Sequence, residues 1–402
     1  LGDFLRIAGV FVLIIVLLRL KMSLAKVMLI AAAVMGLLFR LAPASIVTIM
    51  FRSSLAFSTI NLALALVLIM FLENIMRRTG LLARMVNSLR ILVGDSRVVM
   101  AILPAIVGLL PSAGGAVFSA PLVEEVSRDT EFSAERKSFI NYWYRHVWEY
   151  IFPLYPSIIL AAEIVKVPIY QLIAVQFPFS VSSVLLGIPV AFWHEKKSAV
   201  AGAAGGRGEH LRTFITSIAP ALAVIVLVLA VKLEISLALA MVVLILLLIN
   251  RYDRSRIVTL VKEAFSANTI LMVVAVIIFK DILMATGAVT TLPLFFASLG
   301  LPPELVVIVL PFIVGMATGM SQAFVATTFP ILLGLSAGGA VDLRLVALGY
   351  VSGFAGVMLS PVHLCLILTV EALKADLGKV YRMVLAPGFA QITFALLIYY
   401  LF

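Results

Sequence analysis

VVMAILPAIVGLLPSAGGAVFSAPLV, residues 98–123, reads as two apolar pieces that are each too short to cross a membrane. The first, 98–110, stops at Pro111-Ser112-Ala113-Gly114-Gly115, and the second, 116–123, runs straight into Glu124 and Glu125. A spanning helix needs about 20 apolar residues. The economical reading is a re-entrant hairpin with its tip at Ser112–Gly115. Irregular backbone at such depth survives only where it is buried in protein or lines a wet cavity. Two ordinary helices joined by a tight loop are the other reading of the same letters.

The stretch 304–336 breaks in the same way. An apolar piece, 306–317, ends at Thr318-Gly319-Met320-Ser321-Gln322, and 323–335 turns back. Slid by 207 residues, 73–123 aligns with 280–330 without a gap: Leu103-Pro104 meets Leu310-Pro311, and Ile106-Val107-Gly108 meets Ile313-Val314-Gly315. Slid by 208, Tyr142 meets Tyr350, Pro153 meets Pro361 and Lys166 meets Lys374. Chance pairing of apolar letters does not reproduce a shared order of breaks. An internal repeat is expected.

Composition sets the solvent. The 402 residues would ordinarily form two or three soluble domains. However, 63% are hydrophobic and 12% charged, against about 45–50% and about 25% in a soluble domain. Unbroken apolar runs near 20 residues indicate helices rather than barrel strands. The single cysteine, Cys365, is read as excluding a disulfide framework and any Cys-based metal site. The net charge of +10 is explained by the positive-inside rule, and no nucleic-acid partner is expected. No cleavable signal peptide is read in 4–20, which lacks a basic flank and a small-residue cleavage site.

The expected spans are 4–18, 24–39, 61–75, 139–162 and 171–193, then 214–231, 235–249, 267–283, 345–370 and 384–402. Residues 45–59, 81–93 and 251–265 read as surface-lying pieces. The predicted fold is an all-α polytopic membrane protein of ten transmembrane helices plus two hairpins. Its halves are residues 1–193 (hairpin about 98–123) and 211–402 (hairpin about 304–336), with 194–210 as a cytoplasmic linker. Five crossings per half is odd, so the halves are inverted. Inverted repeats with broken helices mark secondary transporters. Loop charge agrees: 22 of the 30 Lys and Arg fall on one side, 7 on the other, and Arg145 lies within a span. The first side is therefore cytoplasmic, and both termini face outward.

Two inverted five-span halves, each with a hairpin and then a broken helix, resemble the ion-transporter superfamily. That group includes the divalent anion/sodium symporters and the citrate, gluconate and arsenite permeases. Within it, the chain most resembles an uncharacterised prokaryotic family of integral membrane proteins. Where the symporters carry Ser-Asn-Thr, the tips here read Ser112-Ala113-Gly114-Gly115 and Thr318-Gly319-Met320-Ser321-Gln322. The resemblance implies an elevator mechanism, a homodimer and placement in the cytoplasmic membrane.

The candidate site starts at those tips. Helix ends there leave N–H and C=O groups free to meet an anion or a cation. Thr318, Ser321 and Gln322 add side-chain donors and acceptors. Next comes the span holding Asn141, Arg145, His146 and Glu149. A charge at the centre of a span costs about 2.5–3.5 kcal/mol on insertion scales, so these groups must face protein or water. Arg145 and Glu149 sit at i, i+4 and can pair on a helix, as a structural tie or as a working pair. The functional reading gives Arg145 and His146 to an anionic group and Glu149, with Asn141, to the coupling ion. The matching stretch of the second half offers Ser360 and His363. His363 fits a satisfied core histidine as well as a ligand. No catalytic residue and no metal ligand is expected, and nucleotide and metalloprotease motifs are absent. The sequence points to a transporter of a small anionic solute in the lipid bilayer, driven by protons or by Na⁺. A cation/proton antiporter, a passive channel and an intramembrane enzyme are the alternatives.

Overall fold

A computed structural model describes residues 2–93, 95–109, 115–128, 130–193, 206–287, 300, 302–335 and 341–401. Among them are nineteen helices and no strand ladder. The first ten are α1 Gly2–Arg19, α2 Leu24–Leu38, α3 Pro43–Leu55, α4 Phe57–Arg78, α5 Leu81–Leu92, α6 Ser96–Gly108, α7 Gly115–Val126, α8 Ala134–Arg145, α9 Pro156–Val165 and α10 Ile169–Phe192. After them come α11 Arg207–Leu229, α12 Ile235–Ile249, α13 Arg254–Ala264, α14 Ala267–Ala285, α15 Pro303–Thr318, α16 Ser321–Leu335, α17 Leu343–Met358, α18 Leu364–Leu373 and α19 Leu377–Leu401.

Five helices, α4, α10, α11, α14 and α19, are long and apolar enough to cross a membrane. Their surroundings fit that solvent. On α12, Leu244, Ile245, Leu248 and Ile249 are all at least half exposed. A water-soluble chain keeps apolar faces of this kind covered. The molecule is thus a helical protein of membrane-embedded character.

Helix boundaries recur at the two offsets seen in the sequence and at a third, 211. At 207, α4 and α14 end together (78 and 285), and α6 and α15 start together (96 and 303). At 208, α9 matches α18 end to end (156–165 and 364–373). At 211, α2 matches α12 (24–38 and 235–249). Turn conformation recurs as well. The described non-glycine residues with positive φ are Lys21, Arg40, Lys166, Lys232, Arg251 and Lys374. They form three pairs at these offsets: Lys21 with Lys232, Arg40 with Arg251, and Lys166 with Lys374. Glycine usually takes this left-handed position at a helix end. A Lys or Arg there accepts about 1–2 kcal/mol of backbone strain. In return its cation sits at the negative end of the helix dipole and can reach the membrane surface.

Packing joins helices that are far apart in sequence. α2 lies against α14, and α4 against α12. The same holds for the shorter helices: α7 packs on α18, and α16 on α9. Within each half, α6 meets α8 and α15 meets α17 at backbone distance. A Cβ on Gly108 would lie 2.0 Å from the Arg145 carbonyl oxygen, and one on Gly315 would lie 2.1 Å from that of Gly353. Lipid supplies no hydrophobic drive between helices, so such close approach at small residues is what holds them together.

Several expectations are refined. The predicted spans 139–162 and 345–370 are each two helices separated by non-helical backbone, at 146–155 and 359–363. The linker is shorter than expected, because α11 already begins at Arg207; residues 194–205 lie outside the described residues. The repeat-related pair Glu73 and Lys280 are both buried and both engaged. Glu73 accepts from Arg77. Lys280 pairs with Asp281 at 3.2 Å, and Asp281 also accepts from Ser53 at 2.6 Å.

Candidate functional site

Proline marks the two breaks. α8 stops at Arg145, and Pro153 and Pro156 lack the N–H that a continuing helix needs. α17 stops at Met358, ahead of Pro361. The helical i, i+4 register expected between Arg145 and Glu149 therefore does not form. Glu149 instead sits in a turn, its N–H donating to the His146 carbonyl at 3.1 Å.

That turn aims Glu149 at the second hairpin. Ser321, the first residue of α16, donates its hydroxyl to Glu149 Oε2 at 3.0 Å. A helix N-terminus carries partial positive charge and free N–H groups. The protein's own carboxylate thus lies where an anion would be favoured. Its side chain is 12% exposed.

On the other side of the carboxylate, His146 Nε2 faces Glu149 Oε1 at 3.7 Å. His146 Nδ1 lies 2.6 Å from the Tyr142 carbonyl oxygen. A carbonyl only accepts, so Nδ1 carries a hydrogen, and in the neutral ring Nε2 holds the lone pair. A lone pair opposite a carboxylate oxygen calls for a proton or a cation between them.

His363 belongs to the same cluster. Its ring lies 5.0 Å from that of His146, edge to face. Its Nδ1 contacts the Tyr142 hydroxyl at 2.9 Å and the Val357 carbonyl at 3.1 Å. Tyr142 donates its only hydrogen to the Met358 carbonyl at 2.9 Å, so His363 Nδ1 is again the donor. The second hairpin closes over this group. Gly319 caps α15 with φ +62°, and a Cβ there would lie 3.0 Å from His363 backbone atoms and 3.1 Å from Ser360 Oγ. Glycine is required both for the left-handed turn and for the close approach.

The predicted residues therefore separate into groups. Glu149, His146, Ser321, Gly319, Ser360 and His363 come together. Asn141 ties the halves nearby: its Nδ2 donates to Thr369 Oγ1 at 3.0 Å and to the Ala116 carbonyl at 3.3 Å. Its Oδ1 is buried without a hydrogen-bond partner among the described residues. Arg145 is buried, and its carbonyl forms the contact with Gly108. Thr318 turns back on its own helix, its hydroxyl bonded to the Val314 carbonyl at 2.8 Å. Gln322 is half-buried in the first turn of α16. Gly115 opens α7, while Ser112, Ala113 and Gly114 lie outside the described residues.

Sequence reasoning missed three participants. Tyr142 counted in the sequence only as the mate of Tyr350, yet it contacts both histidines. Tyr350 does the reciprocal work, donating to the Glu149 carbonyl at 2.9 Å within reach of Ser157 Oγ, also 2.9 Å. Their alignment in the repeat was the available signal. Cys365 was set aside for lack of a second cysteine; the fold supplies two histidines instead. Tyr350→Phe removes the donor that fixes the Glu149 turn. We expect it to cost about 1–3 kcal/mol, the scale of a buried acceptor left unsatisfied. Thermal unfolding in detergent checks this, and an unchanged midpoint would remove Tyr350 from the site.

The chain is therefore a membrane-embedded helical protein in which two interrupted helices from opposite halves enclose one polar cluster. It belongs to the family described as "Protein of unknown function (DUF401)", whose profile matches residues 4–402. No curated protein matches the chain.

Proposed function

We propose that this protein is a secondary active transporter of a small anionic solute, coupled to protons or Na⁺. The observation that carries this reading is the Glu149 carboxylate seated on Ser321 at the start of α16. A solute anion and this carboxylate compete for one electropositive helix end. Protonating Glu149 removes its charge and yields the place to the solute, so proton and anion move together. His146 Nε2 is the adjacent proton partner. In the Na⁺ version, the unpartnered Asn141 Oδ1 is an oxygen ligand of the type hard cations use.

The recurrence of helix bounds and turns supports two inverted repeats of five spans with one hairpin each. In that arrangement the cluster lies near the bilayer midplane, where such transporters bind. The elevator motion and the homodimer follow the resemblance to the ion-transporter superfamily. A cation/proton antiporter is the second reading, favoured by the His146–Glu149 face, which suits a cation as readily as a proton.

Uptake by purified protein in proteoliposomes tests the proposal, with a panel of carboxylates, oxyanions and sugar acids under imposed proton or Na⁺ gradients. Saturable anion uptake driven by one gradient is the expected result. Cation-dependent change of internal pH without anion uptake would replace it with the antiporter. Flux that neither saturates nor responds to a gradient would make the protein a channel.

A further inference from the structure

The structure assigns a binding site for one borderline-soft divalent cation of the Zn²⁺ class, held by His146, His363 and Cys365. One ligand atom from each lies within 4.8 Å of the others. A tetrahedral zinc with about 2.0–2.3 Å bonds needs its ligand atoms closer than this, within about 4 Å, so side-chain rotation of about 1 Å completes the contraction.

Three features fit a metal rather than three neighbours packed by chance. Both imidazoles are oriented by hydrogen bonds from Nδ1, to the Tyr142 carbonyl in one case and to the Val357 carbonyl and Tyr142 hydroxyl in the other. Metal-ligating histidines are held in this way, with the remaining nitrogen presenting its lone pair. The donor set, two imidazoles and one thiolate, selects zinc-like ions over Na⁺, Mg²⁺ or Ca²⁺, which take oxygen. The ligands also come from both halves: His146 follows α8, while His363 and Cys365 lie at the start of α18. Binding therefore joins the two breaks. Coordination converts the Cys365 thiol to thiolate, and its proton leaves to solvent. Three protein ligands leave a fourth position open, as in exchangeable rather than closed structural sites.

This inference shares His146 with the transport reading but is tested separately, because its readout is metal binding. Cobalt(II), a spectroscopic stand-in for zinc, is titrated into the purified full-length chain in detergent. We expect one Co²⁺ per chain, a near-ultraviolet thiolate-to-cobalt charge-transfer band, and displacement by Zn²⁺. Cys365→Ser should erase the band. His363→Gln should weaken binding at least about tenfold, and His210→Gln, outside the cluster, should leave it intact. Cys365 is the only cysteine, so maleimide labelling gives a second readout on the unaltered chain: Zn²⁺ should slow it at least about tenfold. Absence of the charge-transfer band together with labelling that Zn²⁺ does not slow would overturn the site. So would stoichiometric Co²⁺ binding that Cys365→Ser leaves unchanged.

Discussion

Glu149→Gln is expected to abolish gradient-driven uptake while leaving the folded protein intact. The amide keeps an acceptor for the Ser321 hydroxyl, whose present bond is 3.0 Å, so packing at the start of α16 is preserved. It cannot take or release a proton, and it carries no charge to compete with a solute anion. Removing a positioned proton-transfer group typically costs about 10²–10⁴-fold, and we expect a loss of about a hundredfold or more in uptake under a pH gradient. Solute exchange without net flux should survive, because the neutral side chain leaves the helix end available. Parallel uptake and exchange assays in proteoliposomes separate the two. Normal gradient-driven uptake by the variant would end the coupling role of Glu149. Loss of uptake and exchange together would make it part of solute binding instead.

The second large effect concerns Gly108 and Gly315. A Cβ at either position would lie 2.0–2.1 Å from a backbone carbonyl oxygen of the neighbouring helix. A side chain can rotate away from such a clash, but the Gly353 carbonyl, inside α17, cannot. Gly315→Val should therefore force α15 and α17 apart and cost at least about 3 kcal/mol, the upper end of ordinary overpacking. Gly108→Val meets the carbonyl of Arg145, the last residue of α8, and should act in the same direction on α6 and α8. Gly9 is the control, since nothing lies within 4 Å of its added Cβ. There Ala should stabilise α1 by roughly 0.5–1 kcal/mol through helix propensity alone. Unfolding midpoints and monodispersity in detergent provide the measurement. A Gly315→Val protein as stable as its parent would disprove the close backbone approach. The effect also bears on function, because these contacts hold the hairpins against the broken helices that carry Glu149 and His363.

Both predictions draw on features that were differently visible in the sequence. The break after Thr318, where one helix ends and the next starts at Ser321, was legible because a short apolar run that stops at polar and glycine residues has few places to go in lipid. The 207- and 208-residue offsets were legible in the letters alone, and at those offsets α6 and α15 start together and α9 and α18 keep the same bounds. The candidate residues Glu149, His146, Ser321 and His363 were legible because polar groups in apolar spans must be satisfied by something.

What joins them was not legible. Ser321 meets Glu149 across 172 positions, and Tyr142 meets His363 across 221. Such pairs depend on how four helix ends converge, and periodicity within one helix carries no information about that. For the same reason the i, i+4 pairing of Arg145 with Glu149 was a sound expectation on a helix but fails where the helix has already ended. A lone cysteine reads as inert in sequence until the fold brings two histidines to it. By itself the sequence determined the solvent, the helical class and the breaks, because hydropathy and backbone hydrogen bonding are local demands. The tertiary structure decided the cluster, because it depends on contacts between halves that no local demand specifies.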